Sequence, residues 1–316
     1  METTSSSVQQ QHPPRFGQLV IGPPGCGKTT YCRTLQNYFT NFNRKTLLIN
    51  LDPANETTSN IFDIDIRSLI TLDDPSSTLH LGPNSSFIYC FNFLNENFSW
   101  LQSQLNSFPH VNYYLIDTPG QIELFTTCPS FKAIITKLTH HNEMNIRLTC
   151  VNLIESINIC DMSKYIFSCM SVLNAMINLE LPQVNLISKS DMIKELKREN
   201  EFPFDLEFFK NPNNEIRLNE YLDSLNMGTQ FKELNKKIAE FICDYGLVSF
   251  SLFDVGNVKH VNRAVYLADK GNGFIYKGYV SGGEGDEDEE EGLDSRLLIA
   301  ENDLEDEERV DEEYQI

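Results

Sequence analysis

The sequence is short of the features that mark zinc-binding, disulfide-exchange and membrane proteins. Its eight cysteines are scattered along 316 residues, and no two are spaced as C-x-x-C, which argues against a zinc site or thioredoxin-like chemistry. No apolar run approaches the roughly 18 residues needed to cross a bilayer. Residues 1–15 contain no apolar stretch like that of a secretory signal. We therefore expect a soluble, intracellular protein that contacts no membrane and keeps its thiols reduced.

Positive charge is also scarce. The chain has 25 Lys and Arg against 45 Asp and Glu, a net charge of −20. Residues 281–316 carry 17 of these acids and two arginines, so the rest of the chain has a net charge of only −5. Because no basic patch stands out, we expect no direct binding to nucleic acid. The acidic end buries too little apolar surface to order itself and is predicted to be a disordered tail.

Apolar runs rich in β-forming residues alternate with helical patterns along the rest of the chain. Strands that are apolar on both faces are typical of a parallel sheet covered by helices. This alternation predicts an α/β fold with a doubly wound, mostly parallel sheet and helical insertions. We expect a disordered arm at 1–15, one folded domain at 16–280 and the acidic tail at 281–316. The runs lie at 16–21, 46–51, 111–116, 148–154, 183–187 and 247–252, and the clearest helical patterns at 161–179 and 230–245.

The strongest motif lies between the first predicted strand and a predicted helix and matches G-x-x-x-x-G-K-[ST]. In such a phosphate-binding loop, or P-loop, glycines let backbone N–H groups surround the β-phosphate, and the helix N-terminus adds partial positive charge. Lys28 would reach the β- and γ-phosphates, and Thr29 would ligate Mg²⁺. We expect the whole motif and the following Thr30 to bind the nucleotide. The motif consists of Gly22, Pro23, Pro24, Gly25, Cys26, Gly27, Lys28 and Thr29.

A second motif, D-x-x-G-Q, begins at Asp117 directly after the apolar run 111–116. An aspartate at the carboxyl end of a strand, in a chain with a P-loop, is expected to face the Mg²⁺ shell. The backbone N–H of Gly120 can approach the γ-phosphate, and Gln121 can orient an attacking water. The arrangement is typical of GTPases. The alternative for Asp117 is a helix N-cap.

A further acidic position, Asp52, ends the apolar run 46–51. A buried carboxylate there could hold the nucleophilic water or a water bound to Mg²⁺, and we count it among the candidate metal ligands. Because Pro53 follows, Asp52 could instead form an Asx turn. The sequence leaves both interpretations open.

The motif that would select the base is Ser188-Lys189-Ser190-Asp191, which follows the apolar run 183–187 and matches the [N/T/S]-K-x-D motif of GTPases. A carboxylate can accept hydrogen bonds from N1–H and N2–H₂ of guanine, whereas adenine offers no such donor pair. The lysine stem would pack on the base. A helix N-cap is the alternative for Asp191. Ser249 and Phe250 are candidates for the backbone loop at the far side of the base.

The tripeptide Gly82-Pro83-Asn84 lies between the Asp52 and Asp117 motifs. Together with 50–56 and 117–123, it makes the chain resemble the GPN-loop GTPases, a family of SIMIBI-type P-loop proteins. The resemblance covers about 16–280 and is greatest to the second of three eukaryotic paralogues. Two departures stand out: the family's usual glycine after Gly-Pro-Asn is replaced by Ser85-Ser86, and its usual Pro-Leu by Leu252-Phe253.

The resemblance implies binding of GTP and GDP with Mg²⁺, and hydrolysis of GTP. By analogy, Asp52, Gln121 and Glu123 would position the attacking water. It also implies a dimer, with a paralogous GPN-loop GTPase or with a second copy of the chain, in which Asn84 enters the partner's active site. A role in the assembly and nuclear import of RNA polymerase II, and of other RNA polymerases, follows from the same resemblance, with a cytoplasmic location and shuttling to the nucleus.

Two other readings of the motifs stay open. The chain could be an ATP-dependent relative, either a targeting ATPase or a polynucleotide kinase. It could also be a non-catalytic scaffold in which GTP is a structural ligand.

Overall fold

A parallel sheet organises the molecule. The computed structural model describes residues 14–56, 61–140, 143–193 and 248–276, with 195, 196, 208, 233, 234, 236–238 and 240–242 between the last two ranges. Seven strands form one sheet in the order β3-β2-β4-β1-β5-β6-β7, and all six pairings are parallel. The strands are β1 Arg15–Ile21, β2 Thr46–Asn50, β3 Ile64–Asp65, β4 Tyr113–Asp117, β5 Ile146–Glu155, β6 Gln183–Ser188 and β7 Phe250–Leu252.

Helices cover both faces of this sheet. On one face lie α1, which packs against β1, β2 and β4, and α8, which packs against β1, β5 and β6. On the other face lie α3, α4, α6 and α7, with α2 to α4 inserted between β3 and β4. The predicted doubly wound α/β fold with helical insertions is therefore confirmed. The helices are α1 Lys28–Asn41, α2 Asp73–Leu79, α3 Pro83–Glu96, α4 Phe98–Asn106, α5 Ile122–Thr127, α6 Pro129–Thr139, α7 Met162–Leu179 and α8 Val258–Asn272.

The burial of the central strand β1 explains why the strands appear in the sequence as continuous apolar runs. Leu19 and Ile21 point into the core beneath α3 and α6, whereas Phe16 and Val20 point into the core beneath α1 and α8. All four side chains are at most 1% exposed. Because alternate residues of a strand face opposite sides of the sheet, a strand covered on both sides must be apolar at nearly every position.

Element boundaries differ from the predicted ones by a few residues. The helix expected over 161–179 begins at Met162, because the side chain of Asp161 caps it by accepting a hydrogen bond from Ser163 N (2.8 Å). No apolar pattern predicted β3, which pairs with β2 through two residues only. Within the helix expected over 230–245, residues 233, 234, 236–238 and 240–242 are helical. The rest of that range, residues 1–13 and residues 277–316 lie outside the described residues, so the arm and the tail stay predictions. No helix in the described part of the chain is long and apolar enough to cross a membrane.

A buried ion pair ties α8 to the rest of the domain. The guanidinium of Arg44 donates to both carboxylate oxygens of Asp269, at 2.7 and 3.0 Å. Its Cζ lies 3.7 to 4.2 Å from the ring centroids of Phe39, Tyr113 and Phe274. Burial alone lowers the pKa of Arg44, but the charge of Asp269 outweighs this effect and the pKa is raised. Arg44 therefore keeps its positive charge inside an aromatic cage.

We expect Asp269→Asn to lower the free energy of unfolding by about 3 to 5 kcal/mol, because it leaves the charge of Arg44 buried without a counter-ion. Urea denaturation followed by circular dichroism measures the change. Lys132→Met is the matched control, since it breaks an exposed pair with Glu180 and should leave the denaturation midpoint unchanged. Equal midpoint shifts in the two variants would contradict the assignment.

Candidate functional site

The predicted motifs meet at one edge of the sheet. The strand order reverses at β1, which lies between β4 and β5, and such a switch point opens a crevice outside the carboxyl ends of the strands. The P-loop follows β1, Asp52 follows β2, and Asp117 ends β4. Across the sheet, Asp117 is level with Val20 of β1 and Asn50 of β2. Parallel pairing thus brings three segments that are distant in sequence to a common site.

The backbone of the P-loop requires its glycines. Gly22, Gly25 and Gly27 have φ angles of 143°, 82° and 96°, a region that side-chain-bearing residues rarely adopt. A Cβ on Gly22 would also lie 2.4 Å from the carbonyl oxygen of Leu153. Gly27 is the N-cap of α1 and brings no capping side chain. The first-turn N–H groups of α1 can therefore be directed at an anion.

The charge of Lys28 lies inside this loop. The residue is only 9% exposed, and its Nζ donates to the carbonyl oxygens of Gly22 (3.0 Å) and Pro23 (3.1 Å). Cys26 is fully buried, and burial raises the pKa of its thiol. The cysteine is therefore a neutral packing group. Thr30 is exposed in the first turn of α1 and Pro24 is exposed in the loop.

Thr29 and Asp117 form the candidate magnesium site. The Thr29 hydroxyl donates to Oδ2 of Asp117 at 2.6 Å, while Oδ1 is buried with no hydrogen-bond partner among the described residues. Burial raises the pKa of Asp117 to about 6, against the opposing effects of Thr29 and Lys28. Hydroxyl and carboxylate oxygens are ligands that Mg²⁺ accepts. A bound ion would also satisfy the buried Oδ1, which has no other partner among the described residues. The residues fit the ion.

This site has few protein ligands. In the described ranges, no group of three or more His, Cys, Asp or Glu side chains is placed to hold a metal ion. Such sparseness suits Mg²⁺, which usually takes one or two protein ligands and completes its shell with water and phosphate oxygens. The N-cap alternative for Asp117 is excluded, because the N-cap of α5 is Gln121.

Asp52 forms the Asx turn that its sequence allowed, and its role toward a water or Mg²⁺ stays a prediction. Its Oδ1 accepts a hydrogen bond from Ala54 N (2.9 Å), which is an Asx turn. Its Oδ2 accepts none from the described residues and is left for a ligand. Burial raises the pKa of Asp52, while the Ala54 N–H and the charges of Lys28 and Arg67 lower it. The turn therefore fixes a carboxylate within electrostatic reach of the P-loop lysine.

Gly120 brings the D-x-x-G-Q segment against the P-loop. A Cβ there would lie 2.7 Å from the N and Cα of Pro24 and 3.1 Å from Nζ of Lys28, so only glycine allows this approach. Gln121 is half-buried at the start of α5, and Glu123 is exposed in its first turn. The segment is thus placed where a γ-phosphate would meet Lys28.

The base-selecting motif also lies at this edge. Ser188 Oγ donates to the carbonyl oxygen of Ile154 (3.0 Å), and Lys189 Nζ donates to Glu155 Oε1 (2.7 Å). Asp191 is exposed in a 3₁₀ helix, Ser190–Met192, whose N-cap is Lys189. The N-cap alternative for Asp191 is therefore excluded, and its carboxylate is open to a ligand.

The expected loop on the far side of the base is displaced. Phe250 is buried inside β7, paired with Asn185, and Ser249 precedes the strand. The prediction for these two residues is wrong, because both precede the end of β7 at Leu252 and the loop begins only after it. Phe253 is the first residue after β7, and its carbonyl oxygen accepts from Ser190 N (3.2 Å). This contact joins the two loops that would flank a base.

The Gly-Pro-Asn tripeptide lies away from the chain's own phosphate site. Gly82 is the N-cap of α3 and Pro83 its first residue, and both are exposed with Asn84. Among the described residues, the Asn84 side chain makes no hydrogen bond to the P-loop. The next turn is anchored by buried Ser86, whose Oγ lies 3.0 Å from Ser76 Oγ. One of the two serines that depart from the family pattern is thus a structural anchor.

Sequence reasoning missed three residues around Asp52. Asn50 is fully buried and hydrogen-bonds the backbone of Asp52 and the carboxylate of Asp65. Arg67 pairs with Asp65. Burial raises the pKa of Asp65, but hydrogen bonds from Arg67 and Asn50 outweigh it and the pKa is lowered. Asn50 belongs to the segment 50–56 that carries the family resemblance, but no motif included Asp65 or Arg67, and β3, which brings Asp65 beside Asn50, is too short to show a pattern.

Comparisons with known proteins agree on one family. The family model described as "Conserved hypothetical ATP binding protein" matches residues 20–272. GPN-loop GTPase 2 of Danio rerio is 40% identical over 83% of this chain and 82% of its own length. GPN-loop GTPase QQT1 of Arabidopsis thaliana is 38% identical over 83% and 87%. GPN-loop GTPase 3 of Eremothecium gossypii is 38% identical over 81% and 91%.

A solved structure shares the fold. The crystal structure of a GTPase from Pyrococcus abyssi in its apo form superposes with a TM-score of 0.64. It covers 81% of this chain and 97% of that one at 19% sequence identity. The likeness supports the architecture of the sheet and helices.

We expect the free energy of unfolding of the metal- and nucleotide-free protein to fall between pH 4 and pH 7. The pKa of Asp117 rises from its ordinary value of 3.8 to about 6 on folding, so the folded state binds the proton more tightly. That stabilisation is complete below pH 4 and is lost as the pH rises through 6. Asp117→Asn should remove about 3 kcal/mol of this pH dependence, as measured by urea denaturation at each pH. Parallel pH profiles for the two proteins would contradict the prediction.

Proposed function

This chain belongs to the GPN-loop GTPase family, and on that premise we propose that it binds GTP in its P-loop and hydrolyses the γ-phosphate. The observation that carries the proposal is the meeting of Lys28, the Thr29–Asp117 pair and the carboxylate of Asp52 at one edge of the sheet. The products would be GDP and inorganic phosphate.

Binding follows from the state of the P-loop. The loop backbone is already in the conformation that directs N–H groups inward, so a phosphate needs little rearrangement to bind. Lys28 Nζ would turn from the carbonyl oxygens of Gly22 and Pro23 to the β- and γ-phosphates. When bound, Mg²⁺ supplies positive charge to the phosphate oxygens, with Thr29 and Asp117 holding it.

Hydrolysis requires a water placed in line with the bond that breaks. The water oxygen attacks the γ-phosphorus while the bond to the β–γ bridging oxygen breaks and GDP takes the electron pair. We assign Asp52 and Gln121 to orienting this water, because both lie beside the P-loop on fixed turns. Glu123 is exposed in the first turn of α5 and is assigned a supporting role. Positioning and electrostatics would supply nearly all of the rate acceleration.

Selection of guanine would depend on Asp191. Its exposed carboxylate can accept from N1–H and N2–H₂ of guanine, and Lys189 is held in place by Glu155 to cover the base. The description of the matching family model names ATP, so an ATP-dependent protein is the second candidate function. Adenine lacks the two donors and would leave the carboxylate without partners.

We expect the protein to bind GTP at least 100-fold more tightly than ATP in the presence of Mg²⁺. Asp191→Ala should abolish most of this preference by weakening GTP binding, with ATP binding little changed. Isothermal titration with both nucleotides measures the ratio. Lys28→Ala, as a control, should weaken both nucleotides together. Equal affinity of the wild type for GTP and ATP would overturn the guanine assignment.

Single-turnover phosphate release should fall about 100-fold or more in Asp52→Ala and Gln121→Ala, because each loses a group that orients the water. GTP affinity should change by less than about fivefold, since neither side chain is assigned to ground-state binding. Indistinguishable release rates in the three proteins would instead support a scaffold that uses GTP as a structural ligand.

We propose, from the family resemblance, that the chain functions as a dimer with a paralogous GPN-loop GTPase or with itself, and that Asn84 acts on the partner's site. The exposure of Asn84 supports a role in trans. An apolar groove on α7 also supports a dimer. Ile122 and side chains of α7 line this groove, and at its rim the side chain of Phe167 is 62% exposed and that of Ile177 56% exposed. The client would be RNA polymerase II during its assembly and import, and other RNA polymerases would be further clients. The chain would act in the cytoplasm and shuttle to the nucleus. Native mass spectrometry of the endogenous protein and its co-purified partners tests this, and a lone monomer would contradict it.

A further inference from the structure

We propose that Arg67 is a positioning residue for the hydrolytic site, which acts on Asp52 from both ends of the turn that carries it. The inference rests on the proposed function, because it assigns Arg67 to the carboxylate that would orient the attacking water. Arg67 lies in a short 3₁₀ helix, Ile66–Ser68, directly after β3. No sequence motif includes it.

The guanidinium donates hydrogen bonds to Asp65 and Asn55 among the described residues. Its Nε lies 3.0 Å from both carboxylate oxygens of Asp65, and its Nη2 also donates to Asp65 Oδ2. Its Nη1 donates to the carbonyl oxygen of Asn55 at 2.7 Å. A planar fork with its donors engaged on two sides holds a fixed orientation. We therefore assign Arg67 to positioning, not to direct contact with phosphate.

Asp65 passes this restraint to the start of the Asp52 turn. Its Oδ1 accepts from Asn50 Nδ2 at 3.0 Å. The same amide group donates to the carbonyl oxygen of Asp52 (3.1 Å), and Asn50 Oδ1 accepts from Asp52 N (2.9 Å). Because Asn50 is fully buried, its amide group cannot form a hydrogen bond to solvent. Loss of the contact with Asp65 would therefore leave a buried N–H donor unsatisfied.

Arg67 restrains the end of the same turn directly. The turn closes with Asn55 N donating to the carbonyl oxygen of Asp52 (3.3 Å), and Asn55 is the residue whose carbonyl Arg67 holds. One side chain thus fastens the turn at its start, through Asp65 and Asn50, and at its end, through Asn55. Between these points lies the carboxylate of Asp52.

Charge adds a second reason for an arginine here. Three carboxylates, Asp52, Asp65 and Asp117, lie around this part of the sheet edge. Among the described residues, Lys28 and Arg67 carry positive charge that reaches Asp52. Arg67 therefore lowers the cost of keeping an ionised carboxylate half-buried beside other acids.

The test compares Arg67→Gln, Arg67→Lys and wild type as full-length protein. We expect single-turnover release of phosphate from GTP to fall about 10- to 100-fold in both variants, because a misplacement of about 1 Å can cost this much. GDP affinity should stay within about twofold. Affinity for GDP with aluminium fluoride, a mimic of the phosphoryl group in transfer, should fall by the same factor as the rate. The lysine variant should give no rescue, since an ammonium cannot hold both Asp65 and Asn55.

A readout independent of hydrolysis is amide hydrogen exchange in the nucleotide-free protein. The N–H groups of Asp52 and Ala54 should exchange faster in Arg67→Gln than in wild type, because the turn that protects them is loosened. Arg33→Gln, which changes an exposed arginine on α1, is the matched control and should leave all readouts unchanged. If Arg67→Gln does not fold, Asp65→Asn takes its place. This variant keeps the shape of the side chain at position 65 but weakens its interaction with the guanidinium of Arg67.

Coupling to Asp52 decides between positioning and a separate role. In an Asp52→Asn background, adding Arg67→Gln should cost little further rate, since the group being positioned is already lost. A full additional loss in the double variant, or a wild-type rate in Arg67→Gln, would overturn the inference. Absence of phosphate release from the wild type would instead end the proposed function itself, so the two failures are distinguishable.

Discussion

The hydrogen bond from Thr29 to Asp117 joins the two halves of the candidate site, and the rest of the site depends on it. It connects the first turn of α1, which follows β1, to the last residue of β4, the strand beside β1. The contact is possible because parallel strands end at the same edge of a sheet. It places a buried acceptor, Asp117 Oδ1, where only a cation or a donor from a ligand can satisfy it. The Asp52 turn, Gly120 and the Lys28 ammonium are all arranged around this pair.

Most of the site could be predicted from the sequence because each motif follows an apolar run. The segment 22–29, Asp117 and the segment 188–191 come directly after strands whose side chains face two covered sides. Their convergence follows from the parallel topology. Asp52 was ambiguous in the sequence for a physical reason: it forms the Asx turn with one oxygen and leaves the other for a ligand.

The parts that escaped prediction depend on contacts that have no local pattern. β3 consists of Ile64 and Asp65, which is too short for alternation to be visible, yet it delivers Asp65 to Asn50 and Arg67 to Asn55. The loop after β7 was placed too early in the sequence, because Ser249 and Phe250 lie before the strand ends at Leu252. The trans role proposed for Asn84 cannot be read from one chain, because it depends on contacts with a second molecule.

The internal hydrogen bonds of Lys28 bear on how the protein would recycle. When a nucleotide leaves, the ammonium finds two carbonyl acceptors within its own loop, so departure does not expose a bare buried cation. The loop also keeps its shape through glycine conformations that need no ligand. The empty site thus leaves neither a buried charge without acceptors nor a loop that needs a ligand to hold its backbone conformation.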